Sequence, residues 1–148
     1  MYTDGSAQEG KVGAAAILTK DRQEISKVHY HLGKVDDHTV FEAELVGILL
    51  GLKLIEKFKA CNLTYVIGVD NQVAIKALVS KLNKPGYYLA MEVLREAEKM
   101  KRMASKKYEL TIGWTAGHSG IKGNEAVVQR PREQQKDTQP RRQNFPRC

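Results

Sequence analysis

The chain of 148 residues has only two cysteines, Cys61 and Cys148, and their spacing fits neither a disulfide framework nor a cysteine metal motif. That scarcity is consistent with a reducing compartment. Long apolar runs are missing too: a run such as Leu45 to Leu50, with Gly47 inside it, falls far short of the roughly 20 residues that span a bilayer. The N-terminus lacks the charged-then-apolar pattern of a secretion signal. These absences predict a soluble, intracellular protein of nucleus or cytoplasm with no membrane association. Acidic residues are in deficit, 17 against 24 basic, for a net charge of +7. Much of that excess is local, because residues 129–148 hold six basic and two acidic residues. A second patch, Lys99, Lys101, Arg102, Lys106 and Lys107, either faces a phosphate backbone or forms a solvated helix end.

What is present is ordinary in bulk, with 42% hydrophobic and 28% charged residues, as in soluble domains large enough to bury a core. The informative stretch is Tyr65-Val66-Ile67-Gly68-Val69-Asp70-Asn71-Gln72. A β-branched run ends on a carboxylate and passes directly into the helical pattern Val73, Ala74, Ala77, Leu78. Asp70 is either the cap of that helix or a site carboxylate at the carboxyl end of a buried strand, where α/β sheets bind ligands. Met1 to Ser6 offers a second such acid, Asp4, at the end of a short first strand, with Gly5 permitting a sharp turn.

Val12–Leu18 and Glu24–Leu32 follow as strands across the polar turn Lys20–Gln23, giving an antiparallel meander. Thr39-Val40-Phe41-Glu42 has capping-box spacing and opens a helix to about Lys59 that is apolar almost all round. Glu44 lies among those apolar neighbours, where an acid is costly unless paired or bound to a cation; the alternative is an exposed Glu favoured by the helix dipole. A helix to about Leu82, a break at Asn83-Lys84-Pro85-Gly86, a helix over Tyr87–Ala104 and a strand over Glu109–Thr115 complete the pattern. The glycine-rich loop 116–123 carries His118, either a proton carrier or an exposed bystander. The order predicts an α/β fold with a mixed five-stranded sheet, three antiparallel strands and then parallel ones, flanked by helices. If the fourth strand lies parallel beside the first, Asp4 and Asp70 are neighbours, since adjacent strands are about 4.8 Å apart.

At this point the chain resembles the ribonuclease H type 1 family over residues 1–126. The matching motifs are Tyr2-Thr3-Asp4-Gly5-Ser6, Glu44-Leu45 within a helix, Val69-Asp70-Asn71-Gln72, and Trp114–Gly120 leading to Gly123-Asn124-Glu125. Thr39–Glu44 and Pro85-Gly86-Tyr87-Tyr88-Leu89 look most like the ribonuclease H domains of non-long-terminal-repeat retrotransposons, fungal ones in particular. The resemblance implies a ribonuclease H-like fold and hydrolysis of the RNA strand of RNA/DNA hybrids. It implies two Mg²⁺ ions, or Mn²⁺ in their place, held by Asp4, Glu44 and Asp70, because hard divalent cations take clustered carboxylate oxygens. His118 would assist proton transfer or product release, and Gly5, Ser6, Asn71 and Gln72 would lie close to the hybrid.

The chain also departs from that pattern. The fourth carboxylate of the family, three residues after the Glu of the Asn-Glu pair, is here Val128, which cannot ligate a metal. Pro131 then interrupts the last helix, and 129–148 reads as a basic, disordered or aberrant tail beyond a domain of residues 1–128. With the final helix truncated, Val66, Ile112 or Trp114 would face water and favour self-association. The alternative function is therefore a catalytically impaired hybrid-binding module or retroelement remnant, including a piece of a longer reverse-transcriptase polyprotein.

Overall fold

The computed structural model describes residues 1–58, 64–80, 85–103 and 109–116. Within them the chain runs β1 (Tyr2–Gln8), β2 (Lys11–Lys20), β3 (Gln23–Lys34), α1 (Val40–Lys57), β4 (Thr64–Val69), α2 (Gln72–Val79), α3 (Tyr87–Met103) and β5 (Glu109–Trp114). The five strands form one sheet in the order β3-β2-β1-β4-β5. β1, β2 and β3 pair antiparallel, whereas β1–β4 and β4–β5 are parallel. The mixed sheet with a central first strand is as expected.

Three differences from the sequence reading have clear causes. β1 does not end at Asp4: it continues through Gly5, Ser6 and Ala7 in register with Ala14, Gly13 and Val12. The turn comes instead at Glu9-Gly10, both at positive φ. Small polar residues carry no apolar alternation, so the ladder with β2 extends β1 where the pattern could not reveal it. α2 stops at Val79, where the Ser80 hydroxyl donates to Lys76 O at 2.7 Å; Leu82, like Asn83 and Lys84, lies outside the described residues. Finally, Val66 and Trp114 are more than half exposed, as expected, but Ile112 packs with Leu110 against the core. Successive side chains along a strand point to opposite faces, and pairing with Ile67 of β4 puts Ile112 on the helix-covered face of the sheet, whereas Val66, one residue before Ile67, lies on the other.

All three helices share the main core. Leu45, Ile48, Leu52 and Ile55 of α1 meet Tyr65, Ile67 and Val69 of β4, Ala74 and Ala77 of α2, and Ala90 and Val93 of α3. A second stripe of α1, including Ala43, Val46, Leu50 and Leu54, lies over Val12, Ala14, Ala16 and Leu18 of β2. These alanines keep the surface beneath α1 low, so the helix rides close to the sheet. The capping box sets its start: Thr39 Oγ1 accepts from Glu42 N at 3.2 Å, and Glu42 Oε2 accepts from Thr39 N at 2.8 Å. Two orphan donors at the helix N-terminus are thereby satisfied.

On the other face, Tyr2, Gly68 and Gly113 are in register across β1, β4 and β5. With Val66, Trp114 and Thr115 they line a shallow cleft of about 300 Å³. No described helix is long and apolar enough to cross a membrane.

Candidate metal centre

Parallel pairing of β1 with β4 matches Tyr2 to Gly68 and Thr3 to Val69. Asp4 and Asp70 therefore occupy the next positions on neighbouring strands, as the order of elements predicted. Glu44 arrives from the opposite direction, on the N-terminal half of α1. Three acids from three elements converge, and one oxygen of each lies within 4.8 Å of the others.

The convergence is electrostatically unfavourable for an empty site. Glu44 is 3% exposed. Burial pushes its carboxyl up to about 8, and the neighbouring charges of Asp70 and then Asp4 push the same way. A hydrogen bond shared with the Asp70 carboxyl adds to the rise, while the Gly5 backbone N–H, donating to Glu44, opposes it. Glu44 Oε2 is buried without a hydrogen-bond partner, the only such side-chain atom among the described residues. Buried polar oxygens are almost always satisfied, so an orphan of this kind requires an explanation. The cluster is compatible with a divalent cation, which would account for it: hard carboxylate oxygens are its preferred ligands, and its charge would offset the mutual repulsion of the three acids.

The neighbouring residues resolve an ambiguity in the sequence. Asn71, not Asp70, is the N-cap of α2, and its Oδ1 accepts from Val73 N at 2.9 Å and Ala74 N at 3.1 Å. Asp70 is thereby released from capping. Gln72 opens α2 and is exposed, and Ser6 is half-buried two residues along β1 from Asp4, on the same strand face. Gly5 is buried rather than at a turn: a Cβ there would be 2.6 Å from Ala43 C and would overlap Glu44 N. His118 and Val128 lie outside the described residues.

Sequence reasoning missed Gly47 and Gly51. Built Cβ atoms would meet Asp4 O at 3.1 Å and Met1 Sδ at 2.8 Å, respectively. Their spacing, three and seven residues beyond Glu44, was the available signal, because such residues share one helix face. The basic patch is largely offset where it is described. Lys99 pairs with Glu96 at 3.2 Å and Glu56 at 3.8 Å, and Arg102 with Glu98 at 3.9 Å.

With this geometry established, comparison with known proteins is direct. A sequence model of the RNase H family matches residues 1–134. The chain belongs to the RNase H family. Its fold is similar to LC11-RNase H1, isolated from compost by a metagenomic approach, with a TM-score of 0.67 at 15% identity over 85% of this chain and 86% of that one. It is also similar to RNase H1 of the halophilic archaeon Halobacterium salinarum NRC-1, with a TM-score of 0.59 at 16% identity over 85% and 90% of the two chains. A second structure of LC11-RNase H1, in complex with an RNA/DNA hybrid, gives a TM-score of 0.60 at 15% identity, covering 86% of each chain. RNase H proteins generally use divalent metals, and the Asp4–Glu44–Asp70 cluster is compatible with that use.

Proposed function

We propose that this chain is an endonuclease that hydrolyses the RNA strand of RNA/DNA hybrids, with two Mg²⁺ ions, or Mn²⁺ in their place, held by Asp4, Glu44 and Asp70. The observation that carries the reading is the convergence of these acids around a buried, unpartnered Glu44 oxygen. Family membership and the hybrid bound to LC11-RNase H1 support the substrate class. In the reaction a water oxygen bonds to phosphorus as the phosphorus–O3′ bond breaks, leaving a 3′-hydroxyl on one RNA fragment and a 5′-phosphate on the other. Bound divalent ions supply Lewis-acid stabilisation and a more acidic water. Asp4, Glu44 and Asp70 would hold the ions at the reacting edge, and Glu44, whose carboxyl burial pushes up to about 8, would give up its proton to serve as a ligand. Ser6, Asn71 and Gln72 flank the acids and orient the hybrid, with Gly5 beneath them. His118 carries a proton to or from the reacting oxygens.

A second reading is favoured by one residue, Val128, which stands where the family pattern has its fourth carboxylate. In it the chain binds hybrid without cutting, as a remnant of a retroelement polyprotein whose domain spans 1–128 and whose C-terminus, 129–148, is altered. Thr39–Glu44 and Pro85–Leu89 support the retrotransposon affiliation, the cysteine usage an intracellular location, and exposed Val66 and Trp114 self-association. The deciding experiment is cleavage of a labelled hybrid in Mg²⁺ and in Mn²⁺ by the chain, Asp70→Asn and Val128→Asp. Cutting by the chain that Asp70→Asn abolishes upholds the nuclease. Hybrid binding without cutting, with cutting gained in Val128→Asp, upholds the impaired module instead.

A further inference from the structure

Carboxyl groups clustered within 4.8 Å of one another repel once all are ionised, so the spacing a cation needs must be imposed by the scaffold. At this site the scaffold is a contact of backbone on backbone. Gly47 of α1 sits over the Asp4↔Ala15 pair of the β1–β2 ladder, and a Cβ at Gly47 would be 3.1 Å from Asp4 O and 3.3 Å from Ala15 O. Gly5 makes the reciprocal approach from β1 against Glu44 and Ala43 of α1. Both of these tight backbone approaches therefore involve the residues that carry the two carboxylates, Asp4 and Glu44. Gly51, one turn further on, differs in kind: its built Cβ meets the side chains of Met1, Thr3 and Ile67, and the long Met1 side chain can yield. Strand-paired backbone oxygens cannot.

We propose that Gly47 is a positioning residue, setting the separation of the Asp4 and Glu44 carboxylates and through it the affinity for metal. This rests on the metal-site reading above, and the buried, unpartnered Glu44 Oε2 on the same helix face is what ties the glycine to a ligand. Adding one methyl at Gly47 requires α1 to lift from β1 by a few tenths of an ångström at Asp4. Alanine also favours helix over glycine, so the fold tolerates the change while the site loses its geometry.

The test uses the full chain, with Mn²⁺ alone as the probe, in titration calorimetry of the wild type, Gly47→Ala and Gly51→Ala, with helical circular dichroism as the check on folding. Gly47→Ala should weaken Mn²⁺ about tenfold, the scale seen when groups that orient metal ligands are altered, while Gly51→Ala stays within about twofold. Retention of affinity in Gly47→Ala, equal weakening in both variants, or loss of the helical signal in Gly47→Ala would each overturn the assignment. If the wild type takes up no Mn²⁺, the metal reading itself has failed. Positioning is then judged from metal-free crystal structures of the three proteins: a carboxylate separation widened only in Gly47→Ala upholds it, and equal separations overturn it.

Discussion

Replacing Glu44 by glutamine should change how stability depends on pH, by an amount the structure sets. The folded carboxyl titrates near 8 against 4.5 for an exposed one. Below the lower value Glu44 is protonated in both folded and unfolded chains, and its contribution does not vary with pH. Between the two, unfolding releases its proton, so rising pH draws the metal-free protein toward the unfolded state. Above the higher value both states are ionised and the curve levels. At about 1.4 kcal/mol per pKa unit, the full loss is about 5 kcal/mol, comparable with the entire stability of a marginal domain. The amide of the Glu44→Gln variant is neutral throughout and suffers none of it. Urea unfolding in a chelator at about pH 5, 6, 7 and 8 gives the difference in stability between the two proteins, from which titrations common to both cancel. That difference should grow in favour of Glu44→Gln by about 4 kcal/mol from pH 5 to pH 8. Mn²⁺ added at pH 8 should then restore the wild type and do little for the variant. A difference that stays within about 1 kcal/mol across this range would refute the picture of a strained, desolvated carboxyl.

Three further changes probe the frame around the acids. Asn71→Ala removes the α2 cap and should cost about 1 kcal/mol in urea unfolding, with Asn71→Asp recovering most of it, since both Asn and Asp cap well. Gly5→Ala drives a methyl into the backbone of α1, where little can yield, and should lower stability by about 3 kcal/mol, at the upper end for overpacking; an unchanged melting temperature would show that α1 is not held so close. Lys99→Ala breaks exposed ion pairs with Glu96 and Glu56 and should change stability by less than about 1 kcal/mol, measured as the shift in melting temperature at low and high salt.

Much of the site was legible because its acids end recognisable patterns. The apolar run through Val69 and the capping box at Thr39 located Asp70 and Glu44, and the order of elements made Asp4 and Asp70 neighbours on the condition, met in the structure, that the fourth strand lies parallel beside the first. What stayed hidden was set by contacts remote in sequence. β1 outruns Asp4 because β2 pairs with residues that have little strand character of their own. The helix-facing phase of Ile112 depends on the register between β4 and β5, which no local pattern encodes. Asn71 and Asp70 are both good caps, and only the backbone direction leaving β4 decides between them. Gly47 lay in plain view within an apolar run, but a glycine there signals close approach only once its neighbour across the crossing is known.

The position of β1 in the sheet has a consequence in time. Its antiparallel partner β2 follows after a two-residue turn, whereas its parallel partner β4 lies some 65 residues away along the chain, Tyr2 beside Gly68. Local pairings form early and distant ones late, because closing a long loop costs entropy before any contact repays it. The hairpins of β1, β2 and β3 can therefore assemble while Asp4 is still far from Asp70. A cation that requires all three acids has nothing to grip until that last pairing closes. It would then act as a latch, slowing the escape from the native state while leaving the rate of arrival almost unchanged.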